Sequence, residues 1–270
     1  MHPLTTYIHQ KRQSRPILLM THVVYGYPTV NDSLEIMRTL LNQGADILEV
    51  QFPFSDPVAD GPTITSACHH ALENKPTMQQ FLSDIEALAK EYPKQYILVM
   101  SYLNPLLQFG LDNLSITMKN KGISSIIIPD ILQDNHKLLT PLSKQQIAPI
   151  WLVTPDMPDK RITQLNQHAD GMLYCVSRKG VTGTKRTNTS GKGRAGEPAN
   201  KISDYLSRVQ ALTDLPLAMG FGIRTKQDIN YLIGHADVAI AGSVFLDAYN
   251  TGGLPAVRDT ASQLLSTTHS

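Results

Sequence analysis

Eight short apolar runs recur along the chain, separated by stretches with helical periodicity. They are 17–24 (ILLMTHVV), 46–51 (DILEVQ), 96–101 (YILVMS), 124–129 (SSIIIP), 148–153 (APIWLV), 171–176 (GMLYCV), 215–219 (LPLAM) and 237–241 (DVAIA). Each is too short for a typical helix. Their richness in Ile, Val and Leu suits parallel strands covered on both faces. Between them, Asn31 to Leu41 places Leu34, Ile36, Met37, Leu40 and Leu41 on one helical stripe, with Asn31 or Asp32 as the expected N-cap. Met78 to Ala89 and Lys201 to Leu212 repeat that stripe. A refrain precedes three strands: Gly44-Ala45-Asp46, His168-Ala169-Asp170 and His235-Ala236-Asp237. It reads as a helix end followed by a buried strand.

Eight strands alternating with helices over 270 residues predict an α/β chain folded as a single-domain (β/α)8 barrel of the TIM type, spanning residues 1–270. The competing architecture is an open doubly wound sheet. It wants a Gly-rich first βα turn of the GxGxxG type, and the first run here is followed by YGYPTV. A barrel also places reactive residues at the C-terminal ends of its strands.

Charge and cysteine content narrow the function classes. Lys plus Arg number 24 and Asp plus Glu number 23, a balance that argues against a dedicated nucleic-acid or membrane-surface binder. Two cysteines, Cys68 and Cys175, cannot build a disulfide framework or a multi-cysteine zinc site, and a reduced, cytoplasmic setting is expected. The opening MHPLTTYIHQKRQSRP has no apolar h-region, and no run approaches the ~20 residues of a membrane span. No metal site is expected: His69 and His70 fall in a helical stretch, and no H-x-x-x-H pair or carboxylate triplet occurs.

The densest chemical signal is LEVQFPFSDPVADGPTI, residues 48–64. Alternation puts Ile47, Glu49 and Gln51 on one strand face. If that face lines the barrel, Glu49 is a carboxyl in a largely apolar core, a setting that raises its pKa and suits general acid/base work. An interior ion pair is the structural alternative, but no other strand run contains Lys or Arg. Asp56 and Asp60 lie in the following loop among Pro53, Pro57, Gly61 and Pro62. Turn aspartates usually bond their own backbone. Two carboxyls over one cavity can also divide acid and base roles.

A second signal is spread over the last third. Gly183 falls in SRKGVTG, Gly220, Phe221 and Gly222 in MGFGI, and Gly242 and Ser243 in AGSVF, which opens a short helix. Exposed backbone N–H groups at glycine turns and a helix N-terminus favour an anion, and a phosphate site after strands 7 and 8 recurs in this fold. Residues 178–194 carry six basic side chains and no acid, inside a loop expected to be mobile over about 178–197. A solvated linker and a lid attracting an anionic substrate fit it equally. Tyr174, on the sixth run, is either core or a hydroxyl at the barrel mouth.

Taken together, FPFSDPVADGPTI, YGYP, MSYLNPLLQFG, PDILQ, SRKGVTG, GFGI and AGS resemble the βα-loop motifs of the tryptophan synthase alpha subunit family, in order and nearly end to end. The resemblance implies a lyase of tryptophan biosynthesis that cleaves indole-3-glycerol phosphate to indole and glyceraldehyde 3-phosphate by retro-aldol chemistry. It implies Glu49 as principal acid/base, Asp60 as partner of the indole N–H, and Tyr174 near the substrate. His22, Ile64, Tyr102, Thr182, Gly183, Phe221, Gly222, Gly242 and Ser243 would bind substrate, with Thr182 contacting Asp60 on closure. It further implies an alpha2-beta2 complex in which Pro53, Asp56 and Pro57 face a beta subunit. Pyridoxal phosphate would sit only on that partner, with no cofactor on this chain.

Some positions depart from the family pattern. His22 stands where phenylalanine is usual, Thr21 where proline is common, Tyr27 where aspartate is common and Leu132 where proline is usual. These should alter affinity, closure or docking, and His22 should add a titratable group to the pocket. Two other readings compete. A sugar-phosphate epimerase would want His and Asp at several strand ends, where this chain offers Glu49, Tyr102, Asp130 and Tyr174. A non-catalytic or altered-substrate phosphate-binding paralogue would have less reason to keep Glu49, Asp60 and the glycine turns.

Overall fold

In the computed structural model, which describes residues 1–177, 199–220 and 222–268, all eight apolar runs are strands of one closed parallel barrel. The order is α1 (Pro3–Arg12), β1 (Leu18–Val24), α2 (Val30–Gln43), β2 (Ile47–Gln51), α3 (Pro62–Glu73), α4 (Met78–Glu91) and β3 (Tyr96–Met100). Then come α5 (Leu103–Phe109), α6 (Leu111–Asn120), β4 (Ser125–Ile127), a 3-10 helix (Gln133–Leu139), α7 (Thr140–Lys144) and β5 (Ala148–Val153). The chain finishes with α8 (Asp159–Leu165), β6 (Leu173–Val176), α9 (Ala199–Gln210), β7 (Leu217–Gly220), α10 (Lys226–Leu232), β8 (Val238–Ala241) and α11 (Ser243–Leu265). Each strand pairs with the next, and β8 closes on β1.

Period-two alternation sorts the side chains into two cores. Leu18, Met20, Ile47, Leu98, Met100, Ile127, Ile150, Ala218, Val238 and Ile240 point inward and fill the barrel. Leu19, Val23, Leu48, Val50, Val99, Trp151, Met219 and Ala239 point outward and meet the helices. The stripe of α2 is met as expected, with Ile36, Met37, Leu40 and Leu41 buried. Its N-cap is Thr29, not Asn31 or Asp32: the Thr29 hydroxyl accepts from the Asp32 N–H, so the cap lies two or three residues earlier than expected. Gly44 ends the helix at φ 101°, where any other residue would be strained.

Two features lay outside the sequence pattern. Helix α1 packs Leu4 and Ile8, one turn apart, into the inner core and plugs the N-terminal end of the barrel. The aspartate of the refrain also has a structural task. Asp46, just before β2, accepts from the Leu19 N–H at 3.0 Å and pairs with Arg15. Asp237, just before β8, accepts from the Leu217 N–H at 2.9 Å and from Arg12 at 3.3 Å. Each clamps the neighbouring strand at its first turn and so pins register at the bottom of the barrel. Asp170 accepts from the adjacent Gly171 N–H at 2.9 Å.

Candidate active site

The upper end of the barrel interior is polar where the lower end is not. Glu49 sits mid-strand on β2, 2% exposed, in register with His22 of β1 on one side and Leu98 of β3 on the other. Sequence reasoning found no cationic donor for an interior pair. The structure supplies one in His22, whose Nδ1 lies 3.2 Å from Glu49 Oε1. His22 was legible in principle, since it shares the inward face of β1 with Leu18 and Met20. Burial alone would depress its pKa, but the Glu49 charge and hydrogen bond, with Asp60 and Gln51 adding, leave it raised. Among the described residues Glu49 Oε2 has no hydrogen-bond partner, nor do His22 Nε2 and Gln51 Oε1, and all three are buried. Buried polar atoms left this way are costly, and they cluster where a protein must meet a polar ligand.

Asp60 comes to the same place from the loop after β2. Its Oδ2 accepts from Gln51 Nε2 at 2.8 Å and from the Tyr102 hydroxyl at 2.9 Å. Tyr102, at the end of β3 and fully buried, also accepts from the Ala59 N–H at 3.0 Å, so it ties the loop down at two points. Burial raises the Asp60 carboxyl, against the opposing pull of His22, Gln51 and Tyr102, while Glu49 pushes it further up. Gln51 shares the inward face predicted for Glu49, but the sequence pattern assigned it no task. Its amide links strand to loop and holds the two carboxyls over one cavity.

Tyr174 points into the same space from β6, and burial beside Glu49 and Asp60 drives its hydroxyl well above the usual phenol value. It is therefore a neutral hydrogen-bonding group at neutral pH. Gly220 lies beside it: a Cβ there would stand 3.5 Å from the Tyr174 hydroxyl, an ordinary packing contact. Ile64, near the start of α3, is 7% exposed and packs with Val24, Cys68 and Leu246 at the rim.

The glycine turns after β7 and β8 stand on the same face. Gly222 has φ +81°, a left-handed conformation that only glycine adopts freely. Gly242 is the N-cap of α11, which has no side-chain cap and no acidic residue in its first turn. By contrast α10 carries a full capping box, with Thr225 and Asp228 occupying its free N–H groups. The first N–H groups of α11, beginning at Ser243, are thus open to an anion. The helix breaks at Gly252 and Gly253, so its first segment is as short as expected. Phe221, Thr182, Gly183 and the basic stretch 178–197 lie outside the described residues.

In the loop 52–61, Asp56 is exposed while Pro53 and Pro57 are buried within the chain. Of the three residues expected to face a partner, Asp56 is the exposed one, its carboxylate accepting from the Ser55 hydroxyl, beside Val58 at 70% exposure. Leu132, after β4, is 60% exposed on the same side of the barrel. His69 and His70 lie on the exposed face of α3, and no cluster of three metal-ligating side chains occurs among the described residues. No helix among them is long and apolar enough to cross a membrane.

Comparison with known proteins gives one answer. The family model described as tryptophan synthase alpha chain matches residues 8–265. The tryptophan synthase alpha chain of Syntrophotalea carbinolica is 36% identical over 255 residues, covering 94% of this chain and 96% of the relative. That of Methanosarcina acetivorans is 37% identical, covering 89% and 84%. Among solved structures, Mycobacterium tuberculosis tryptophan synthase superposes with a TM-score of 0.88 at 28% identity, over 100% of this chain and 99% of that one.

Proposed function

The chain belongs to the tryptophan synthase alpha chain family, and from that premise we propose how its barrel mouth performs the family's lyase reaction. It is a carbon–carbon lyase of tryptophan biosynthesis that converts indole-3-glycerol phosphate to indole and glyceraldehyde 3-phosphate. Breaking the bond between indole C3 and the glycerol chain takes three things: a proton at C3, a partner for the indole N–H as positive charge develops, and a base for the glycerol hydroxyl. Glu49 serves the proton steps. Its Oε1 is held by His22, and its Oε2 is the oxygen left for substrate. Once C3 is protonated, the carboxylate takes the hydroxyl proton. The C–O bond then becomes a carbonyl, and the electrons of the breaking C–C bond return to the ring.

Asp60 accepts the indole N–H and stabilises the charged tautomer, fixed in place by Gln51 and Tyr102. Tyr174, neutral, contributes a hydroxyl to the same cavity. Backbone N–H groups of Gly222, Gly242 and Ser243 hold the phosphate, with Phe221, Gly183 and Thr182 assigned to the same substrate by family likeness. The six cations of residues 178–194 attract an anionic substrate by charge. No cofactor on this chain enters these steps. A beta subunit, carrying pyridoxal phosphate, docks over the exposed residues Asp56, Val58 and Leu132 and consumes the indole. Cytoplasmic residence follows from this partnership.

The observation that carries the reading is the unpartnered, buried Glu49 Oε2 at the mouth of the barrel, beside Asp60. The test is indole release from indole-3-glycerol phosphate by the full chain, with and without a beta subunit. The chain should release indole slowly, faster with the partner, and Glu49→Gln should lose a factor of about 10² to 10⁴ while remaining folded. Folded wild-type chain that releases no indole under either condition overturns the reading.

A further inference from the structure

His22 occupies a position with more chemistry than a packing residue needs. Its Nδ1 lies 3.2 Å from Glu49 Oε1, and both side chains are almost entirely shielded from solvent. Its other nitrogen, Nε2, is buried with no hydrogen-bond partner among the described residues. The ring also lies against Gly242, where an added Cβ would stand 3.2 Å from His22 Cβ and 3.5 Å from the ring carbons. So the imidazole lies between the acid/base carboxyl and the N-cap of α11. A buried histidine kept only for packing would have both nitrogens satisfied or would be replaced by an apolar ring.

We propose that His22 and Glu49 form one proton-sharing pair, in which His22 sets the pH range over which Glu49 can act on substrate. The inference rests on the acid/base assignment of Glu49 above. His22 is a positioning residue in this scheme: it touches Glu49, and Glu49 touches the reacting atoms. The pair holds a single proton, either on Nδ1 facing a carboxylate or on the carboxyl facing a neutral imidazole. Glu49 draws on that proton to protonate C3, and the proton taken from the glycerol hydroxyl restores it, so the pair ends each turnover as it began.

The groups facing His22 make the shared proton durable. Glu49 approaches from β2, Asp60 from the loop after it, and the neutral Gln51 amide from the end of β2. From the β8 side the uncharged Gly242 lies beside the ring, and Tyr174 lies near the two carboxyls. The neighbouring charges are therefore negative, and they hold the imidazole proton to higher pH than a free histidine would. Activity that needs this proton persists to correspondingly higher pH.

The test is the pH dependence of substrate cleavage by the full chain, for wild type, His22→Phe and His22→Asn. Asparagine keeps a polar group toward Glu49 but cannot titrate. Both variants should lose kcat by about tenfold or more at the alkaline end, with KM within about threefold and a much smaller loss near pH 6. Superimposable pH profiles for all three chains overturn the pairing. A second readout needs no substitution at His22. In ¹⁵N-histidine spectra of the wild-type chain, His22 should titrate above the ordinary imidazole value of about 6.5, and that titration should fall in Glu49→Gln. A His22 that titrates at or below the ordinary value, or that ignores Glu49→Gln, also overturns it. Full activity in Glu49→Gln would instead sink the acid/base assignment itself, so the two failures are distinguishable.

Discussion

The two ends of the barrel treat buried charge in opposite ways. At the N-terminal end Asp46, 1% exposed, has both oxygens engaged, one by Arg15 and one by the Leu19 N–H. Asp237 repeats the arrangement with Arg12 and Leu217. Tyr96 shares its hydroxyl with Ser124 at 2.6 Å and Ser125 at 2.8 Å. At the C-terminal end Glu49, His22 and Gln51 each keep one buried polar atom unpaired. The lower end spends its charges on strand register. The upper end holds unsatisfied groups in readiness for a substrate, at a cost in stability.

That contrast can be broken by substitution, and the largest effect is expected at the bottom. Asp46→Ala strands a guanidinium and a strand N–H, and should cost about 3–5 kcal/mol in chemical denaturation. Cleavage per folded molecule should not change. If Asp46→Ala unfolds no more easily than wild type, the clamp described above is wrong.

At the mouth the sign reverses. Replacing both members of the pair with apolar residues, His22→Phe with Glu49→Leu, should abolish cleavage yet leave stability unchanged or raise it by about 1–3 kcal/mol. The same double variant sharpens the pH argument. Because the folded pKa of His22 is raised, the pair's stabilising contribution is full below about pH 6.5 and is lost as pH rises through the folded value. Thermal unfolding of the wild type should therefore show a fall over that window which the double variant lacks. A marked destabilisation in the double variant at every pH would mean that the mouth, too, is built for stability.

The smallest effect is expected between the two extremes. Tyr102→Phe removes one hydroxyl that serves both Asp60 and the Ala59 N–H. It should cost about 1 kcal/mol of stability and lower cleavage modestly, through a less firmly held Asp60. Unchanged kinetics in Tyr102→Phe would show that Gln51 alone positions the carboxyl.

Much of this was readable along the chain. The eight strand runs, the stripes of α2, α4 and α9, and the inward face shared by Ile47, Glu49 and Gln51 follow from local periodicity, which is a property of neighbouring residues. Short-range detail was less legible. The cap of α2 moved from Asn31 or Asp32 to Thr29 because a hydroxyl three residues ahead of the Asp32 N–H satisfies it. Strand β4 is shorter than its apolar run, ending before Pro129, which cannot donate to a ladder. Helix α1 was not foreseen, because its stripe consists of little more than Leu4 and Ile8 and gains meaning only as a plug beneath a closed barrel.

By itself, then, the sequence determined which segments are strands and helices, which face of each is apolar, and that a carboxyl at Glu49 would enter the interior. The tertiary structure decided what that carboxyl meets. His22 and Glu49 are 27 positions apart and Tyr102 and Asp60 are 42 apart, and each pair is brought together by the pairing of neighbouring strands. Whether a buried charge is paired depends on the neighbours that this pairing supplies. Periodicity records only the burial of each residue, so the partner of Glu49 could be known only once β1 lay beside β2.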